Sequence, residues 1–194
     1  RKPEEARNTI LEASENLLLE QGLAGLKLAK VAEVVGISHP GVLHHFGSAE
    51  GLLEAVHQRI SLKLRNSITA SLSDPSVTST EQRITRLLAE LAEPRTGQLI
   101  ACLVAAGRDP FPAGDDDGVK HVVDLVQEGV SNPDMSYDEI AFTVQLTMLA
   151  MLGDAILGQT VRSRMGVTDT EQAGNKFQER FKILLSEKMR PSSD

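Results

Sequence analysis

The sequence predicts an all-α protein, and three observations carry that reading. Apolar residues recur at helical spacing through nearly the whole chain. Aromatic residues make up 3%, with no tryptophan and one tyrosine, whereas β-rich folds draw heavily on aromatic and β-branched side chains. Glycine, serine and proline fall where such helices would begin and end. The 194 residues are enough for one large domain or two small ones, and a hydrophobic share of 41% supports a real core.

The first segment places Ile10-Leu11, Ala13-Ser14 and Leu17-Leu18 on one face and is stopped by Gly22. A short apolar helix follows, Leu28 to Val35, ended by Gly36. Ser38 is placed to cap the next helix, with Pro40 in its first turn, where a missing N–H costs nothing. That helix ends near Phe46-Gly47, and Ser48 can cap a long one carrying Leu52, Leu53, Val56, Ile60, Leu64 and Leu72. Ser71 to Thr80 reads as a loop, Glu81 to Glu93 as a helix with Pro94 beyond its end, and Gln98 to Ala106 as a buried helix.

Arg108 to Gly118 is a loop whose Asp115, Asp116 and Asp117 would favour the start of a helix over Val119 to Glu128. Gly129 to Asp134 is a further loop, ahead of the longest helix, Tyr137 to Arg164. The last helix spans Asp169 to Met189, with Phe177, Phe181, Leu184 and Leu185 on one face. Ile140 to Val161 is long enough to span a bilayer. Gln145, Asp154 and Gln159 interrupt it, and a helix apolar on most sides is also what burial between a core and a partner requires; no membrane association is expected. Ala150, Gly153 and Gly158 suit close approach by another helix or internal packing. Asp154 requires solvent or a basic partner such as Arg162, because a buried unpaired carboxylate is costly.

Charge and cysteine content narrow the function classes. Residues 1–65 hold eight basic and eight acidic side chains, so the net charge of −7 falls in residues 66–194. Neither part has the basic excess of a strong nonspecific nucleic-acid binder. One cysteine, Cys102, excludes an intramolecular disulfide and a multi-cysteine metal cluster and fits a reducing cytosol. The charged start Arg1-Lys2-Pro3-Glu4-Glu5 does not read as a signal peptide, so a cytoplasmic location is expected. No Gly-rich phosphate loop, metal-binding helix motif or nucleophile elbow is present to suggest an enzyme. His39, His44 and His45 do not make a metal site: they diverge around a helix, and no carboxylate or cysteine completes the set. No cofactor is expected.

The most informative stretch is residues 7–56. Two short helices joined by Gly36-Ile37 have the spacing of a helix-turn-helix. Val31, Ala32 and Val35 give the first an inner face, Ile37 plugs the turn, and Val42 and Phe46 anchor the second. Three helices then bury one small core and leave the second short helix projecting, sized for a major groove about 12 Å wide.

The set Arg7…Ile10-Leu11…Ala13…Leu17-Leu18…Gly22, Val31-Ala32…Val35-Gly36-Ile37-Ser38 and Val42…His45-Phe46…Ser48…Glu50…Leu52-Leu53…Ala55-Val56 resembles the tetracycline-repressor-like (TetR) transcriptional regulators. The resemblance implies a helix-turn-helix DNA-binding domain over residues 1–47 and a helical ligand-binding and dimerisation domain over residues 48–194, the helix from about 48 linking the two. It implies a homodimer through the last two helices, binding a pseudo-palindromic operator in double-stranded DNA and released from it by a small-molecule effector. Carried over residue by residue, DNA contacts fall to Lys27, Ser38, His39, Pro40, Gly41, His44, His45 and Ser48.

Three positions depart from the family pattern. Leu43 stands where tyrosine is usual, Ala49 where lysine is usual and Lys27 where threonine is common. The first two changes remove a hydroxyl donor and a positive charge from the DNA face, and phosphate contacts of that kind position the module. An alternative reading is therefore a TetR-like ligand-sensing or protein-binding module with weak or lost DNA binding. The histidines also suggest a pH effect, since protonation adds charge beside phosphates.

The C-terminal region is read only for polar groups on otherwise apolar helices and for residues beside the long loop. Gln98, Cys102, His121, Gln145 and Thr147 are candidate ligand-binding residues, with Arg108 and Phe111 at the loop and Met148 and Met151 as apolar lining. Each also has an ordinary structural role available: Thr147 back-bonding to its own helix, Cys102 as a small hydrophobe and the methionines as core.

Overall fold

The computed structural model describes residues 3–77, 79–111, 118–128 and 135–188. The expected acidic helix start at Asp115 to Asp117, the loop Gly129 to Asp134 and the basic pair Arg1-Lys2 lie outside them. Among the described residues every regular element is a helix and none is a strand, so the all-α expectation holds.

Helix α1 (Pro3–Gln21) is followed by a 3-10 turn (Gly22–Gly25), α2 (Leu28–Val35), α3 (His39–Phe46) and the long α4 (Ala49–Leu72). Then come α5 (Thr80–Leu91), α6 (Pro94–Ala105), α7 (Val119–Glu128) and α8 (Tyr137–Gly153). A π-helical turn (Asp154–Gly158) joins α8 to α9 (Gln159–Arg164), and α10 (Thr170–Lys188) closes the fold.

Local chemistry accounts for the boundaries. Gly36 ends α2 in the left-handed region at φ 73°, a conformation that costs a side-chain-bearing residue dearly. Its N–H and that of Ile37 both donate to the Ala32 carbonyl, which satisfies the end of the helix. Ser38 then accepts from the Gly41 N–H at 3.2 Å to start α3, and Ser48 accepts from the Gly51 N–H at 2.9 Å to start α4. Ser79 and Ser136 make capping boxes with Gln82 and Glu139 at the starts of α5 and α8.

Two expectations need correction. Pro94 lies beyond the end of α5, as expected, but it also opens α6, four residues ahead of the expected start at Gln98. The Glu93 carboxylate caps that turn, accepting from the Arg95 and Thr96 N–H groups at 3.1 and 2.6 Å, and proline suits a first turn because it has no N–H to leave unpaired. Likewise the segment from Tyr137 to Arg164 is not one uninterrupted α-helix but carries the π turn. It remains long and apolar enough to cross a membrane by length and composition.

Packing divides the chain into two compact units: Arg1–Lys63 with Gln98–Pro110, and Leu64–Gly97 with Phe111–Asp194. In the first, Ile10, Leu18, Val31, Val42, Leu52, Val56 and Leu103 form the fully buried heart of one core. Beside it Glu15, buried on α1, receives Arg59 Nε at 2.8 Å and Lys63 Nζ at 3.0 Å from α4.

In the second unit α5, α7 and α8 pack together through residues such as Leu87, Leu91, Val126, Ile140 and Met151, and α10 packs on α5 and α9. Arg83 of α5 donates to the Leu72 carbonyl at 2.8 Å and the Leu125 carbonyl at 3.2 Å, tying the end of α4 to α7. Asp124 of α7 accepts from Lys120 and from the Tyr137 hydroxyl; the Lys120 hydrogen bond above all holds its carboxyl below the usual range.

Candidate nucleic-acid interface

Helix α3 is held by two residues and presents three. Val42 is fully buried and Phe46 nearly so, both in the first unit's core. His39, Pro40 and His44 are exposed, while Gly41, Leu43 and His45 are half-buried. The division follows from helix period: positions 42 and 46 are one turn apart and face inward, which turns 40 and 44 outward. The Ser38 cap fixes the first turn, so the exposed tip of α3 is not frayed.

The half-buried His45 packs against its neighbours. Its ring lies 5.7 Å from that of His44, edge to face, and 6.2 Å from that of Phe46. On Phe46 sits the Arg7 guanidinium of α1, 5.0 Å from the ring centroid, a cation–π contact that fixes an exposed positive charge beside α3. Arg7 was not among the expected site residues, because the contact joins positions that only the three-helix packing brings together.

Lys27 is exposed at the start of α2, its backbone extended and its side chain making no cap bond. Ser48 and Ala49 are exposed at the start of α4. Next to them Glu50 would set a negative charge on the same edge, but Arg108 pairs with it and with Glu54 at 3.0 Å. Arg108, expected at a ligand site, is thus engaged in masking carboxylates on α4.

The remaining ligand candidates fall in both units. Gln98 and Gln145 are exposed. The Cys102 thiol donates to the Leu18 carbonyl at 3.5 Å, and burial pushes it up from the ordinary thiol range, which keeps it protonated. Thr147 is buried and donates to the Thr143 carbonyl on its own helix. Met148 and Met151 are core residues of the second unit, where His121 and Phe111 are half-buried.

One buried polar side chain escaped the sequence reading. His57 of α4 is 9% exposed, and its Nε2 lies 2.6 Å from the Asp109 carbonyl. A carbonyl only accepts, so Nε2 carries the proton. Nδ1 is buried and without a hydrogen bond, with the Glu54 carboxylate 3.8 Å away. Fifty-two residues separate His57 from Asp109, and no periodicity or capping signal links them.

Residues 10–56 match the family model described as bacterial regulatory proteins, tetR family. Among curated proteins the chain is similar to the HTH-type transcriptional regulator AlkX of Mycobacterium tuberculosis, 33% identical over 66 residues, which is 34% of this chain and 31% of that protein. It is also similar to the HTH-type transcriptional regulator BetI of Cronobacter sakazakii, 30% identical over 78 residues, 40% of this chain and 39% of that protein. The chain thus spans less than two fifths of the length of these relatives in the matched stretch.

A solved structure, a putative TetR-family transcriptional regulator from Rhodococcus sp., superposes with a TM-score of 0.66 at 23% identity, covering 93% of this chain and 99% of that one. That likeness concerns the fold.

Proposed function

From the premise that the chain is a TetR-like regulator, with that family's DNA-reading segment and all-helical fold, we propose that it is a cytoplasmic repressor that binds a pseudo-palindromic operator as a homodimer and leaves it when a small molecule binds. The observation that carries this reading is the division of α3: Val42 and Phe46 buried, His39, Pro40 and His44 exposed. A helix held by one face and presented by the other is what entry into a major groove requires.

Self-association is supported by an apolar stripe on the last helices. Phe142, Leu149, Leu157 and Val161 are each more than half exposed, with Leu146 and Ile156 beside them in the same unit. On α10 the face expected to be uniform splits: Leu185 is 2% exposed and packed inward, whereas Leu184 is 63% exposed. Exposed apolar side chains in such number are a partner surface in a soluble protein. Binding of a pseudo-palindromic operator by two copies related by a two-fold axis requires two α3 helices about 34–36 Å apart, one turn of DNA. Residues 1–47 would serve DNA and residues 48–194 ligand and partner. Release follows from differential affinity alone: a ligand that favours a conformation with its recognition helices out of register shifts the population off the operator.

The second reading, a ligand-sensing or protein-binding module with little DNA affinity, draws on the half-buried Leu43 and on Ala49, which leave the α3–α4 edge short of phosphate donors. A gel-shift assay against the DNA flanking the coding region separates the two. Retardation that weakens steeply with salt supports the repressor; its absence, with a thermal shift by small molecules, supports the sensor.

A further inference from the structure

We propose that the operator is read through N7 of guanine in the major groove, each such guanine taking a single hydrogen bond from His39 or His44. The inference rests on the operator-binding reading above and names the base chemistry that the α3 surface fits.

The helix has the sequence His39-Pro40-Gly41-Val42-Leu43-His44-His45-Phe46. It contains no Arg, Lys, Asn, Gln, Asp or Glu. α3 itself therefore cannot make the forked contacts that distinguish bases with two bonds at once: arginine on guanine, an amide on adenine, a carboxylate on cytosine. Of the three exposed residues only His39 and His44 carry a hydrogen-bonding side chain. His45 is packed between His44 and Phe46.

Imidazole is short, so it reaches a base edge only if the helix backbone comes close. Gly41 permits that approach. It has no side chain, and a Cβ there would stand 3.3 Å from the Ser38 hydroxyl that caps the helix. A side chain there would press on the cap and add bulk at the flank of the exposed face.

Imidazole carries at least one N–H donor in either tautomer and when protonated, and that donor finds most on guanine. Guanine offers two adjacent acceptors, adenine one acceptor beside an amino donor, cytosine only a donor, and thymine an acceptor beside a methyl group. His39 stands at the tip of α3, and His44 lies five residues further along and about 140° around the helix. The two donors therefore address different base steps.

The test is a selection from duplexes with a randomised centre, followed by anisotropy titrations in which each guanine of the selected site is replaced by 7-deazaguanine, which keeps base pairing and loses N7. One or two guanines per half-site should each weaken binding about three- to ten-fold when replaced. His44→Ala and His39→Ala should each lose sensitivity at one of those positions; both residues are exposed, so the variants fold. Replacement effects below about two-fold everywhere, or sensitivity that survives in both variants, would overturn the proposal while leaving DNA binding intact. Failure to enrich any duplex would overturn the operator-binding reading and the inference with it.

Discussion

Asp154 and Arg162 pair across two turns of helix, over the bare backbone of Gly158. Their side chains are 15% and 17% exposed. A Cβ on Gly158 would collide with both the carboxylate and the guanidinium, and Gly174 of α10 leaves room for the other edge of Arg162. The glycine that reads as a helix-packing position is used internally, to let this pair close. Asp154→Asn leaves a mostly buried guanidinium without its counter-ion and should destabilise the fold by about 2–4 kcal/mol. Gly158→Ala should also destabilise it, by displacing both partners. Urea unfolding checks both; wild-type stability in either variant would mean the pair is dispensable.

The carboxylate of Glu15 ties α1 to α4 through Arg59 and Lys63. Its side chain is 3% exposed, whereas the two cations are 24% and 55% exposed. The asymmetry gives an order of effects. Removing the carboxylate releases cations that water can solvate, so Glu15→Gln should cost about 1–2 kcal/mol. The double variant Arg59→Met with Lys63→Met takes both cations from a buried carboxylate and should cost more, about 3–5 kcal/mol. Equal losses in the two variants would contradict the burial argument.

Leu149 and Leu157 are 64% and 57% exposed at the centre of the apolar stripe. A charge at either position desolvates poorly in a dimer and is harmless in a monomer. Leu149→Glu and Leu157→Glu should shift the protein to monomer in sedimentation equilibrium, with helical content unchanged. Operator affinity should fall together with dimerisation. A variant that stays dimeric would place the subunit contact elsewhere.

The parts of this fold that can be read from the chain are those specified by neighbours. The α2–α3 pair follows from Gly36 in its left-handed turn and Ser38 as a cap, interactions that span three or four residues. The outward positions of Pro40 and His44 follow from the helical period, and His39 is exposed as the first residue of α3. Pro94 misleads because the same residue that follows one helix can begin the next; Glu93, which caps α6, is the deciding neighbour. The π turn at Asp154–Gly158 carries no local signature, and its pair is explained only once Gly158 is seen beneath it. His57 with Asp109, Arg7 with Phe46 and Glu15 with Arg59 are contacts across 39 to 52 residues, fixed by tertiary packing and silent in the sequence pattern.

Hydroxyl-radical footprinting of the selected duplex tests the central proposition most directly. Two protected patches on one face of the DNA, centred about one helical turn apart and both lost in Leu149→Glu, are the expected result. A single patch unaffected by that substitution, or no protection at protein concentrations where the dimer is fully formed, would contradict it.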